Sequence, residues 1–552
     1  MPRLTGRSAF LQLLRDEGIT HLFGNPGTTE LPIMHALAEH PELTYVLGLQ
    51  ESVVVGMADG FSRASGRLVA ANVHVAPGLC NAMGALYNAK FTGTPLILTA
   101  GQQEQGHGLT EPLLYDPLVP IAEPLVKWAV EVTRLEDLPR IVRRAAKIAT
   151  TPPTGPVFIS LPGDILNAEA DLDLLASSRV DARSRPSDDT LRALADRLLA
   201  AERPIAIVGD ELVRGDALAD AAAFAGTLGC PVWQQPVAWG AHFPSEHPCF
   251  VGALSRSQPQ VREVLSRHDL VVVLGADPFC MSVHSETEPV PPGLPVVHVG
   301  LVDRHIAKNW PVEIAVQAEV GETLRALLPV LRERGGAALA VRAATRVAAI
   351  AADNWTARRA RLAATIANRA GATPIDTDWA VLQAIDALPD DAIFLDEALT
   401  ASRHVPALLR YRDRHGYHSM ASGGIGWGLP AAVGASLANP GRPTVCLTGD
   451  GSAMYTFQAL WTAAHHRLPL NVVLVNNGGY RIIKQRLLSF HGSRGFVGMD
   501  FADPAIDFAA MAGAMGLEAI RVSDPRAVRE TFESAFGRPG TKLIEVVVDG
   551  TV

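Results

Sequence analysis

Short, continuous apolar runs rich in β-branched residues recur along this chain, separated by longer stretches with helical periodicity. Residues 20–23, 44–47, 68–73, 95–99 and 157–161 are such runs. A run that is apolar at every position suits a strand covered on both faces, whereas a half-exposed strand would alternate. The intervening stretches each accommodate a helix, so the pattern predicts a parallel sheet wrapped by helices. A polar linker rich in Ser, Arg and Asp occupies residues 177–189, after which the pattern restarts with runs at 204–209, 231–233, 270–275 and 296–299. It restarts again at 392–395 and continues through 444–448, 470–475 and 542–548. The predicted fold class is α/β, with three doubly wound parallel-sheet domains at 1–180, 190–335 and 371–552, and an Ala/Arg-rich connector with helical parts at 336–370.

Composition narrows the function classes. At 48% hydrophobic and 19% charged, the 552 residues have the balance of a soluble globular protein, and their number implies several domains. A net charge of −9 leaves no basic footprint, so no nucleic-acid partner is expected. The arginines near 332–334 and 358–361 read as solvated helix faces. Five cysteines, at 80, 230, 249, 280 and 446, have no metal-ligand spacing, which fits a reducing compartment. Only Cys280 lies near a possible site loop. The first residues lack a hydrophobic signal core, and no stretch reads as the roughly 20 apolar residues that cross a bilayer. A cytoplasmic protein with no membrane partner is the expectation. The turn after Val208 reads GDEL and carries no G-x-G-x-x-G fingerprint, so the middle unit is not expected to hold a dinucleotide.

The most informative chemistry lies in Gly449-Asp450-Gly451-Ser452 and Asn476-Asn477, separated by a helical stretch and a second buried strand. Asp450 and Asn477 stand 477 − 450 = 27 positions apart, enough for a crossover helix and the return strand. Both fall at the carboxyl ends of parallel strands, where ligands of open α/β sheets bind. Glycines admit backbone N–H groups to a diphosphate, and the oxygens of Asp450 and Asn477 are hard donors suited to Mg²⁺. A lone Gly-Asp-Gly would read as a turn; the second element at this spacing favours a shared ligand.

Three other positions carry candidate chemistry, each with a plainer alternative. Glu51 enters an apolar helical segment, where a carboxylate is costly unless paired or functional, although a helix start favours an acid. His74 follows the strand run at 68–73 and is either a proton shuttle or a structural residue. Residues 423–426 (GGIG) permit close backbone contact with a ligand, or form only a tight turn before a helix.

These motifs, with 49–51 (LQE) and 58–61 (ADGF), resemble the thiamine-diphosphate enzymes. Stretches 23–32 (FGNPGTTELP), 81–85 (NAMGA), 125–128 (LVKW), 248–250 (PCF), 423–426 and 460–464 (LWTAA) are similar to the 2-oxo acid decarboxylases of the benzoylformate decarboxylase type. The similarity runs from about Phe10 to the C-terminus and is weakest in the middle third. The resemblance implies pyrimidine-binding, central and diphosphate-binding domains in that order, with thiamine diphosphate and Mg²⁺ as cofactors. It implies that Asp450, Asn477 and the backbone oxygen of Gly479 hold the metal, and that Thr400, Gly449, Gly451 and Ser452 contact the cofactor. Gly423 and Ile425 take the pyrimidine side, with Ile425 wedged between the rings. Glu51 bonds the aminopyrimidine nitrogen of a cofactor anchored on the partner subunit, which implies a homodimer at least and a homotetramer by analogy. For a 2-oxo acid substrate, Thr28 meets the carboxylate and His74 moves protons. The second histidine is His284, which lies two residues beyond its family position, or else His107.

After the metal motif, the stretch 478–486 (GGYRIIKQR) departs from the decarboxylase pattern. Ile482 and Ile483 read as pocket walls, and Gln485 and Arg486 replace bulky aromatics, so Arg486 faces either a second anionic group or solvent. A carboligase of the acetolactate synthase type or a 2-hydroxyacyl-CoA lyase is therefore a rival reading. A non-catalytic binding protein that keeps the fold is the rival from another class.

Overall fold

The structure, a computed structural model, describes residues 3–552. It contains three six-stranded sheets, one for each of the three predicted domains, and the chain divides into two compact units. Everything up to Asp181 joins Ala372–Ala401 and Met420–Val552 in one unit, which holds both the first and the third repeat of the pattern. Ala182–Gly371 and Ser402–Ser419 form the other.

In the first unit, the N-terminal sheet runs Thr44–Leu47, His21–Gly24, Val69–Val73, Leu96–Gln102, Val157–Pro162 and Ala129–Glu131 in spatial order, all parallel. Five strands of the second sheet of this unit run Ile393–Glu397, Thr444–Gly449, Leu470–Asn476, Lys542–Val547 and Glu518–Val522 in spatial order, again parallel, with the short strand Tyr417–Ser419 as the sixth, beside Ile393–Glu397. Their carboxyl ends carry the loops that hold the candidate residues.

The helix Glu51–Ser65 is buried on nearly every face, which explains its unbroken Val53-Val54-Val55 run. It packs on Gly428–Ala438 with the two backbones in direct contact. A Cβ at Gly434 would lie 1.9 Å from the Met57 carbonyl oxygen, and one at Gly60 would lie 2.1 Å from that of Ala431. Glycine at both positions is what lets these helices touch.

The second unit orders Phe250–Ala253, Val232–Gln234, Pro204–Val208, Leu270–Leu274, Val296–Gly300 and Ile314–Gln317 in one parallel sheet. Residues 336–370 have the helical parts expected of them. They are mostly helical, as the second half of Val320–Ile350 and as Trp355–Ala367, and Trp355 and Ile366 are buried. The first of these helices breaks at Gly336, where φ is 51°.

The helical stretch Val320–Ala367 is long and apolar enough to cross a membrane by length and composition, which the sequence reading did not anticipate. In the fold it packs on the helix Leu218–Leu228. Its Arg342 donates to the carbonyl of Leu199, and its Arg346 to those of Leu228 and Ala201.

Candidate active site

The first cluster forms where the His21–Gly24 and Val69–Val73 strands end side by side. His74 caps the helix Val75–Thr92, and Val75 holds a φ of 30°, a costly conformation for a β-branched residue that re-aims the chain at this point. The His74 ring lies against Gly27, where a Cβ would sit 2.1 Å from Nδ1, so only glycine admits it. His74 Nδ1 meets Oε2 of Glu30 at 2.8 Å and Oγ1 of Thr29 at 3.1 Å.

Glu30 has no exposed surface. Its carboxylate is satisfied by the N–H groups of Gly27 at 3.0 Å and Gly101 at 2.8 Å, and by the Thr29 hydroxyl at 2.8 Å. With Nδ1 donating to a carboxylate, Nε2 is left as the ring's acceptor, the arrangement of a positioned base. Sequence reading missed Glu30. Its only signal is an acid three residues after Gly27, and burial becomes visible only once three loops converge on it. Thr28 begins the same short 3₁₀ turn and is exposed.

Glu51 opens its helix beside the N-cap Gln50, whose side chain accepts the N–H groups of Ser52 and Val53. The Glu51 carboxylate is 8% exposed. Oε2 accepts from Asn81 Nδ2 at 3.1 Å, and Oε1 faces Gly78. A carboxylate at a helix start with Asn81 on one oxygen has its other oxygen placed to meet a ligand nitrogen.

The second cluster joins the residues read as metal ligands. Asp450 is 2% exposed and accepts from the N–H of Gly451 at 2.8 Å and from those of Asn477 and Gly479 at 3.1 Å each. Burial raises its pKa, against the pull of these N–H donors. The Asn477 side-chain oxygen is buried without a partner, an arrangement that costs stability unless a ligand completes it. The Gly479 carbonyl accepts from Arg481 N–H at 3.0 Å and retains a second lone pair. A carboxylate and an orphaned amide oxygen side by side fit a hard divalent cation. Ser452 is buried in the same turn, beside Gly449 and Gly451.

A third group surrounds residues 423–426. Gly423 and Gly426 adopt φ values of 84° and 95°, and Ile425 is half-buried between them. Glu397, at the end of its strand, fixes the far side of this turn. Oε1 accepts from Gly426 N–H at 2.6 Å and Trp427 N–H at 3.1 Å, and Oε2 from Gly428 N–H at 2.6 Å. Burial pushes its pKa up to about 7 against those three donors. Sequence reading missed this residue as well, although an acid closing an apolar strand was its signal. Thr400 follows in the next turn, partly buried.

Other candidates lie on the surface of this chain. The His284 side chain is 85% exposed and pairs with Glu286 at 3.1 Å. His107 is exposed on the 3₁₀ turn Gln105–Thr110. Arg486 is exposed over the Phe490 ring at 5.8 Å, and Ile483 is 48% exposed. Among the described residues no group of three His, Cys, Asp or Glu side chains is placed to hold a metal ion.

Comparison with known proteins decides the family. The N-terminal thiamine pyrophosphate binding domain matches residues 4–112, the central domain 191–327 and the C-terminal binding domain 400–546. Benzoylformate decarboxylase of Pseudomonas aeruginosa is 34% identical over 548 residues, covering 98% of both chains. The chain belongs to the thiamine pyrophosphate enzyme family. Among solved structures, the thiamine diphosphate-dependent 4-hydroxybenzoylformate decarboxylase of Rhodococcus jostii superposes with a TM-score of 0.86 at 31% identity, covering 99% of this chain and 100% of the other. Acetolactate synthase isozyme 1 large subunit of Escherichia coli is 27% identical over 557 residues, 99% of this chain and 94% of its own. In this thiamine pyrophosphate enzyme, the Asp450 and Asn477 cluster lies in the C-terminal binding domain and the His74–Glu30 pair in the N-terminal one.

Proposed function

We propose that this enzyme catalyses the thiamine-diphosphate-dependent, non-oxidative decarboxylation of a 2-oxo acid to carbon dioxide and an aldehyde. The observation that carries this reading is the contact of His74 Nδ1 with the buried Glu30 carboxylate, on a chain similar to decarboxylases along almost its whole length. Bound thiamine diphosphate supplies the electron sink that makes loss of carbon dioxide feasible. Asp450, the orphaned oxygen of Asn477 and the Gly479 carbonyl hold a Mg²⁺ ion with the diphosphate. Thr400, Gly449, Gly451 and Ser452 line the diphosphate side. Ile425 supports the pyrimidine side, and Glu51 holds a proton at its ring nitrogen.

Thr28 donates its hydroxyl to the substrate carboxylate. His74, oriented through Nδ1 by Glu30, takes up a proton from solvent at Nε2 and delivers it to the carbon that lost the carboxylate. His284 is the second proton carrier, with His107 as its alternate. Glu51 serves the cofactor of a partner subunit, so the working form is a homodimer or a tetramer built from two. The five cysteines are all free, which supports a reducing, cytoplasmic setting.

Product analysis of the magnesium-loaded holoenzyme with benzoylformate, pyruvate and branched 2-oxo acids tests the assignment. An aldehyde and carbon dioxide in equal amounts support it, and release of neither from any member removes it. The departure at Ile482, Gln485 and Arg486, with the likeness to an acetolactate synthase, favours carboligation as a second reading. In that case the same incubation yields 2-hydroxyketones or 2-hydroxy-3-oxo acids in place of free aldehyde.

A further inference from the structure

The turn that carries Gly423 and Ile425 is fixed at both feet. Glu397 holds Gly426 to Gly428 at one foot. At the other, Oδ1 of Asn88 accepts the N–H groups of Ala421 at 3.3 Å and Ser422 at 3.2 Å. Asn88 is 1% exposed, near the end of the helix capped by His74, and its Nδ2 donates to Oδ2 of Asp59 at 3.0 Å. Asp59 has no exposed surface and accepts Trp427 Nε1 at 2.6 Å and the Thr94 hydroxyl. The Arg63 guanidinium stands 4.0 Å from Asp59 and lies 4.6 Å over the Trp427 ring.

This arrangement has a consequence for residue choice. Asp59 lies 59 − 51 = 8 residues along the helix that begins at Glu51. The height of the turn is therefore set against the Glu51 helix by two links, Asn88 to Ala421 and Ser422, and Trp427 to Asp59. Only an amide can satisfy position 88. A carboxylate there could accept the two N–H groups but could not donate to Asp59, and an apolar side chain would orphan two backbone donors and leave a buried carboxylate short of a partner. Gly423 and Gly424, between the feet, are exposed and free to meet a ligand.

We infer that Asn88 is a positioning residue for cofactor binding, which acts through the backbone of Ala421 and Ser422 to hold Gly423 and Ile425 at the height the pyrimidine ring requires. The inference rests on the reading that this turn faces the pyrimidine.

The test compares two ligands in the presence of Mg²⁺: thiamine diphosphate, which needs both halves of its site, and inorganic diphosphate, which needs only the Asp450 and Asn477 half. Calorimetric titration of Asn88→Ala should show thiamine diphosphate binding weakened roughly 10-fold or more, the order set by orphaning buried polar groups. Inorganic diphosphate binding should stay within about 2-fold of wild type. Equal loss for both ligands would show general structural damage and overturn the inference, as would unchanged binding of both. Should Asn88→Ala not fold, Trp427→Phe keeps an aromatic ring and removes only the donor to Asp59. It should give the same selective loss at smaller size, and equal or absent effects there overturn the inference too. Wild-type protein that binds the two ligands equally tightly would instead defeat the reading that the turn meets the pyrimidine.

Discussion

His74 Nδ1 lies 2.8 Å from Oε2 of Glu30, a carboxylate with no exposed surface and three further donors around it. The pair fixes which ring nitrogen faces outward, and the cost of burying the carboxylate is offset by the donors that surround it. Glu30→Gln keeps the shape but removes the charge that orients the imidazole. kcat/KM for a 2-oxo acid should fall about 10- to 100-fold, the range seen when a partner that orients a functional histidine is lost. Thiamine diphosphate affinity should not change. Steady-state kinetics alongside cofactor titration check both.

Asn477 offers a separate handle, because its side-chain oxygen is buried and unpartnered. Asn477→Ala removes an unmet acceptor, so the cofactor-free protein should unfold at the same temperature as wild type or slightly higher. Thiamine diphosphate affinity at fixed Mg²⁺ should fall sharply. Asp450→Ala should weaken the cofactor more and also destabilise the cofactor-free protein, since Asp450 satisfies three backbone N–H groups. Melting curves with and without cofactor separate the two.

How much of this was legible beforehand depends on where each residue sits in its sheet. Central strands such as Val69–Val73 and Leu470–Asn476 are buried almost throughout and announce themselves as apolar runs. The edge strands Ala129–Glu131, Ile314–Gln317 and Glu518–Val522 were missed, because exposure to solvent replaces the run with a mixed pattern. Asp450 and Asn477 were legible because both lie on one strand–helix–strand unit. Glu30, Glu397 and Asn88 were not, because each takes its role from contact with segments distant in the chain, and the local signals of the two acids do not reveal those contacts.

Glu397 should leave a signature in the pH dependence of stability. Its pKa in the fold is about 7, above the ordinary 4.5 of a glutamate, so between those values the folded protein binds a proton that the unfolded chain does not. Its contribution is fully present below about pH 4.5 and is lost as pH rises through 7, a change of about 3 kcal/mol. Denaturant unfolding across this window should show wild type losing stability with rising pH more steeply than Glu397→Gln. Parallel slopes would contradict it.

Arg486 is exposed and lies over Phe490, so it is not needed to hold the fold. For a substrate with a single carboxylate, Arg486→Ala should leave kcat/KM near wild type. A doubly anionic 2-oxo acid that gains a charge-assisted contact worth roughly 1.5–3 kcal/mol would lose about 10- to 100-fold in the variant. Turnover of both substrate kinds by both proteins decides which the site prefers, and we expect the singly charged aryl or alkyl acids.

Under the proposed function, Glu51 activates the cofactor that drives decarboxylation. NMR of the magnesium-loaded holoenzyme with benzoylformate labelled with ¹³C at both its carboxylate and its keto carbon reads carbon dioxide and aldehyde together. Wild type should release one labelled carbon dioxide per aldehyde formed, and Glu51→Gln, binding thiamine diphosphate but lacking the acid, should be slower by about 100-fold or more, the lower range for loss of a positioned acid or base. A wild-type protein that forms neither product from benzoylformate or any other 2-oxo acid, or a Glu51→Gln protein as fast as wild type, would contradict the account.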